Sequence, residues 1–251
     1  MIKEIVDIYE KLLIEGQNSE NTKWQAITID SVNNPLFGIN NSFIEFPEFT
    51  NLAEELMPDL PWAEDHFLER INGKPINPGI EYKNWPYYKK SDNDELFRSG
   101  GKFSHNYMER YWPRKAGDFE ESYMVSDNRG IRYEMGDLND VIERINENNY
   151  TRQAFLAVWH PEDQSNNGVR VPCTIGYWFN MENGKLTMTY LLRSCDAIRH
   201  FRNDVYMSYR LLQHVCEKTG LTPGKLKMWI GNFHCFKSDI YTLTKIVKNN
   251  K

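Results

Sequence analysis

Apolar positions recur every three or four residues in four stretches of the chain. The first, MIKEIVDIYEKLLIEG, predicts an amphipathic helix over Ile2–Glu15, ending at Gly16. The second, WAEDHFLERI, predicts a helix over Trp62–Ile71, closed by Asn72-Gly73. The third predicts a helix over Asp137–Asn148, with Val141, Ile142 and Ile145 on one face. The fourth and longest spans Asp204–Thr219, with Leu211, Leu212, Val215 and Cys216 facing inward and Gly220 past its end. Leu52–Met57 reads as a shorter helix.

Apolar and β-branched runs predict strands at Gln25–Ile29, Ala154–Trp159, Cys173–Met181, Lys185–Leu192 and Leu226–Ile230. Asn183-Gly184 between the third and fourth of these is a tight hairpin signal. The section from 30 to about Leu60 is variable, and 74–136 is rich in Pro, Gly, Tyr and charge. That second stretch reads as long loops, which in a compact domain mark function or an insertion. No repeat or linker breaks the pattern, so the 251 residues are expected to form one α+β domain with a large mixed sheet flanked by helices.

Composition narrows the function classes. Net charge is -5, so no basic field advertises nucleic-acid binding. The first helix lacks the apolar core and cleavage site of a signal peptide, and no apolar run approaches a membrane span. The four cysteines are scattered without a CxxC pair, which points to reduced thiols in a cytoplasmic compartment and to no zinc site.

The candidate chemistry collects at element ends. Cys173 follows Pro172 and opens a strand, and Arg193 ends the next strand of the same hairpin. Arg193-Ser194-Cys195-Asp196 offers a guanidinium, a hydroxyl and loop amides, a set suited to a phosphate dianion. Arginine also favours a nearby thiolate. Asp204 starts the long helix, and His234 follows the strand after it.

Three segments, VPCTIGYWF, LLRSCD and GNFHCF, resemble the signatures of the thymidylate synthase and deoxycytidylate hydroxymethylase family. The intervals are 20 residues from Cys173 to Arg193, 11 from Arg193 to Asp204 and 30 from Asp204 to His234, matching the family without a gap. YTRQAFLAVW, from Tyr150 to Trp159, resembles the segment whose arginines reach the partner subunit's phosphate site. The resemblance covers about residues 137–240.

The resemblance implies a homodimer with shared active sites that acts on a pyrimidine nucleoside monophosphate with 5,10-methylenetetrahydrofolate. Cys173 would attack carbon 6 of the ring and make carbon 5 nucleophilic toward the one-carbon unit. Arg193 and Ser194 would hold the phosphate, joined by Arg152 of the other subunit. Asp196 would order base and folate, and His234 would contact the sugar or a water network. Tyr107 in NYMERYW would match an active-site tyrosine. Glu64 would supply the family's catalytic glutamate, with Glu69 as its rival.

Asp204 bears on the base. A carboxylate accepts from the 4-amino group of cytosine, whereas the amide of an asparagine suits uracil. Asp204 therefore points to dCMP and hydroxymethylation, as in phage enzymes that make modified DNA precursors in the host cytoplasm. Asn203, one residue earlier, keeps a dUMP hydroxymethylase or thymidylate synthase as the alternative.

Three departures stand out. Lys23 replaces the arginine of the family's N-terminal phosphate loop, and Phe236 replaces a tyrosine that binds the deoxyribose hydroxyl. Only 17 residues follow His234, where the family continues and closes over folate. A more open site would let water capture the exocyclic methylene, giving hydroxymethyl in place of methyl. The same departures allow a nucleotide-binding homologue without turnover.

Overall fold

A computed structural model describes residues 1–19, 36–88, 98–99, 102–103, 105–113, 136–165 and 171–250. The expected strand at Gln25–Ile29, and Lys23, lie outside the described residues.

The periodic stretches form helices. Helix α1 (Lys3–Glu15) buries Ile5, Val6, Ile8, Tyr9 and Leu12 along one stripe. The Tyr9 hydroxyl reaches through the core to donate to the Ala197 carbonyl at 2.6 Å. Strand β1 (Gln17–Ser19) pairs antiparallel with β2 (Leu36–Phe46). Helices α2 (Leu52–Leu56) and α3 (Trp62–Ile71) follow. Two-residue strands β3 (Arg98–Ser99) and β4 (Lys102–Phe103) pair with each other, before helix α4 (Tyr107–Tyr111).

Helix α5 (Leu138–Glu147) opens on a capping box, in which the Asp140 carboxylate accepts from the Asp137 N–H at 2.9 Å. Strand β5 (Phe155–Ala157) leads to the hairpin of β6 (Thr174–Glu182) and β7 (Lys185–Leu192). At its turn Asn183 and Gly184 both take positive φ, 51° and 77°, as a two-residue hairpin of this twist requires.

Strand β8 (Cys195–Asp196), helix α6 (Phe201–Thr219), strand β9 (Pro223–Phe236) and helix α7 (Ile240–Asn249) complete the chain. Helix α6 begins three residues before the expected Asp204, which lies in its first turn. Strand β9 is longer than expected and contains His234, which was expected beyond its end. Strand β2 and helix α7 were not expected.

The sheet has the order β1-β2-β9-β7-β6-β5, with β8 extending beside β9. The β7–β9 and β8–β9 pairs are parallel and the rest antiparallel, so this is a mixed α+β sheet. One face carries Ile44, Tyr177, Phe179, Tyr190 and Met228, buried with the inner stripe of α6. The other carries Phe43, Phe155 and Trp178, exposed at 60%, 40% and 38%. Strand registers put these three on the same side. Among the described residues no helix is long and apolar enough to cross a membrane.

Candidate active site

The hairpin brings the two ends of its ladder together. Thr174 pairs with Leu192, and the Arg193 N–H donates to the Cys173 carbonyl at 2.9 Å. Cys173 therefore sits at the strand mouth beside Arg193. A register shift between Thr174 and Gly176, one residue beyond the thiol, bends the strand there. Cys173 is half-buried, while Cys195, Cys216 and Cys235 are buried. The Arg193 guanidinium is fixed by the Pro172 and Val171 carbonyls at 2.8 and 3.0 Å, and its Nη2 lies 3.9 Å from the Cys173 sulfur.

Cys173 opens on a cavity of about 160 Å³, whose other walls include Tyr107, Ser194, Asp196 and Asp204. An engineered apolar cavity of roughly 150 Å³ holds benzene, so one six-membered ring is a fitting occupant. Helix α6 supplies Asp204 from its first turn. Burial pushes the Asp204 carboxyl up to about 7, against the pull of the Arg70 guanidinium. The Cys195 thiol donates to Asp204 Oδ2 at 3.6 Å. Asn203 points elsewhere: it accepts from the Asp59 N–H and donates to the Asp59 carboxylate, both at 2.8 Å.

Asp196 shapes the turn into α6 by accepting from the Ile198 and Arg199 N–H groups, both at 2.9 Å. Burial raises its carboxyl to about 6, with those bonds and Arg199 opposing. Ser194 Oγ lies 3.4 Å from His234 Nδ1, which is also 2.9 Å from Asn232 Oδ1. Burial lowers His234 to about 4, so its imidazole is neutral at neutral pH. His234 stands behind Ser194 and is not part of the cavity wall. The Tyr107 hydroxyl bonds Thr174 Oγ1 at 3.0 Å, and Thr174 bonds Tyr190 at 2.7 Å.

Glu64 does not join this group. On α3 the cavity-lining residues are Trp62, His66 and Arg70, spaced by four, and Glu64 lies on another face of the helix. Its carboxylate accepts from Arg210 at 2.8 and 3.0 Å and from the Tyr206 hydroxyl at 2.9 Å. The hydrogen bonds from Arg210 hold it below the usual carboxylate range. Glu69 is buried behind the wall, where it accepts from the Ile80 N–H and lies 3.3 Å from His66 Nδ1. Arg152 is exposed, and Trp178 Nε1 donates to its carbonyl at 3.3 Å.

Sequence reasoning missed Arg70, His66 and Trp62. The signal was their four-residue spacing on one helix face. Flat rings follow one another along this wall. Trp62 stacks on His66 with centroids 5.3 Å apart, and Trp85 stacks on His200 at 4.6 Å. Such a wall can take a flat heterocycle. Among the described residues no cluster of His, Cys, Asp or Glu is arranged to hold a metal ion.

Comparison with known proteins covers the part of the site that follows α3. A family model described as thymidylate synthase matches residues 82–251. Three relatives carry the name "Putative thymidylate synthase". The one from Methanopyrus kandleri is 26% identical over 133 residues, 49% of this chain and 63% of the relative. That from Methanococcoides burtonii is 28% identical over 151 residues, 58% of this chain and 69% of the relative. That from Methanosarcina mazei is 30% identical over 131 residues, 52% of this chain and 59% of the relative. The first of these alignments thus spans less than two thirds of the relative's length. The family match runs from Tyr82, ahead of β3, through the hairpin of β6 and β7 and past α7, and the chain belongs to the thymidylate synthase family.

Proposed function

We propose that the chain transfers a one-carbon unit to carbon 5 of a pyrimidine nucleoside monophosphate through a covalent Cys173 adduct, with dCMP as substrate and a hydroxymethyl group as product. One observation carries this reading: Cys173 and Asp204 face the same ring-sized cavity, with Arg193 beside the sulfur.

Each residue has a stated task. The Cys173 sulfur bonds to carbon 6, and Arg193 offers it a charge-assisted hydrogen bond. Asp204 accepts from the 4-amino group of cytosine. Ser194 at the wall and Arg193, beside the Cys173 sulfur, meet the phosphate. Asp196 holds the turn that orients Asp204. The neutral His234 orients the Ser194 hydroxyl. The family points to 5,10-methylenetetrahydrofolate as the proposed donor, supplying carbon at the oxidation level of formaldehyde.

A second copy completes the site. The uncovered sheet face exposes Phe43, Phe155 and Trp178 beside the ion pairs of Lys225 and Lys227 with Glu45 and Glu182, a mixed surface proposed to meet its copy, and Arg152 lies next to it. The resulting homodimer would bring Arg152 to the partner's phosphate.

A second reading, dUMP as substrate, draws on one observation. An Asp204 carboxyl raised to about 7 is partly protonated near neutrality, and the acid form donates to the carbonyl of uracil. Tritium release from carbon 5 of labelled dCMP and dUMP, with and without methylenetetrahydrofolate, separates the cases. Release from dCMP, abolished in Cys173→Ser, is expected. Release from dUMP alone gives the second reading. Tight nucleotide binding with no release from either marks a binding protein without turnover.

A further inference from the structure

Arg70 is an unusual cation. It ends α3 inside the protein, with 5% of its surface exposed. Its guanidinium lies 4.3 Å from the centre of the Tyr107 ring. Its side chain hydrogen-bonds the Tyr111 hydroxyl and feels the charge of Asp204, but its Nε has no hydrogen-bond partner and no carboxylate lies at salt-bridge distance from it among the described residues. A buried charge with no directly paired carboxylate is costly, and it is well placed to serve an anion or a developing negative charge. Arg70 lines the same cavity as Cys173, Tyr107 and Asp204. Trp62, Tyr82, Phe103, Met108 and Met207 line the same cavity and offer faces for a flat ring.

We propose, building on the pyrimidine-adduct reading above, that Arg70 is a catalytic residue that hydrogen-bonds the ring edge where negative charge gathers as Cys173 adds. When the sulfur bonds to carbon 6, the electron pair of the 5,6 double bond moves to carbon 5. Conjugation through carbon 4 shares it with ring nitrogen 3 in cytosine, or with the carbonyl oxygen in uracil. Arg70 donates to that atom, while Asp204 accepts from the neighbouring amino group. A solvent proton then joins carbon 5, the original hydrogen leaves as a proton, and the returning pair expels the sulfur. The ring is restored with its carbon-5 hydrogen exchanged, and no oxidant or folate is consumed. The donor sits in a water-poor wall before the charge appears, the arrangement in which one donor contributes most.

Folate-free tritium release from carbon-5-labelled dCMP tests this role, with kcat and dCMP affinity measured separately. In Arg70→Gln, kcat is expected to fall about a hundredfold while affinity falls less than about tenfold, the usual loss for one such donor. Added guanidinium ion is expected to restore part of the rate in Arg70→Ala, which a packing defect would not permit. Arg70→Lys, which keeps the charge and loses the planar fork, is expected to lie between wild type and Arg70→Gln. It carries the test if Arg70→Gln does not fold. Wild-type kcat in either Arg70→Gln or Arg70→Lys overturns the role. So does a loss of affinity that accounts for the whole effect. If wild-type protein releases no tritium, the adduct reading fails and the role of Arg70 falls with it.

Discussion

At Asp204 a single carboxyl sits between two bases. Burial raises it to about 7, so its charge changes near neutrality. The carboxylate suits the cytosine amine and the acid suits the uracil carbonyl. The preference for dCMP over dUMP is therefore expected to rise severalfold between about pH 6 and pH 8, read by competitive binding. Asp204→Asn is expected to flatten that profile and favour dUMP. A wild-type preference that does not move with pH would remove Asp204 from base reading. Stability carries the same sign. The folded value, about 7, exceeds the ordinary 3.8, so the contribution of this group is full below about pH 4 and is lost as pH rises through about 7. Asp196, raised to about 6, adds a loss in the same direction. Urea unfolding is expected to show Asp204→Asn gaining on wild type across that window. Cys173, Tyr107, Ser194, Asp196 and Asp204 were legible in sequence because each lies at or near an element end, where motif spacing reports position. Arg70 was not legible, because its neighbours are set by how α3 docks. Glu64 lies off the cavity wall because it stands two positions from Trp62 and His66, about 200° around the helix.

At the scale of elements, periodicity was legible wherever one face was buried and regular. Helices α1, α3, α5 and α6 all lie close to their expected bounds. Strand β2 was hidden because its alternation is interrupted at Asn40-Asn41, a turn-like pair, and Asn41 indeed takes φ 55°. Strand β9 looked shorter than it is because Gly231 and Asn232 interrupt its apolar run. A side chain at Gly231 would meet the Arg193 carbonyl at 2.8 Å, which accounts for the glycine. Helix α7 carries Ile240, Leu243 and Val247 at helical spacing, but its threonines and β-branched residues resemble a strand. Helix α6 stops at Gly220, with φ 70° and its N–H on the Cys216 carbonyl. Nothing surrounds that position, so Gly220→Ala reports backbone strain alone. A loss of about 1 kcal/mol is expected in urea melts, with nucleotide binding unchanged.

At the scale of the whole molecule, the proposed assembly rests on the uncovered sheet face. Phe43→Glu with Trp178→Glu is expected to yield a monomer in sedimentation, with tritium release lost. Arg152→Ala and Cys173→Ser are each expected to be inactive alone. Mixed and allowed to exchange subunits, they should recover about a quarter of wild-type activity, since half the dimers hold one intact site. No recovery on mixing would place Arg152 outside the partner's site. The hairpin of β6 and β7 has a related consequence. It works as a ruler, with Cys173 and Arg193 as the two marks at the open end. Deleting two residues from β7 and two from the partnering stretch of β9 would let the sheet re-form a step out of line, with each side chain still on its own face. Such a chain could keep its core and still be chemically silent, because the thiol would face a different neighbour.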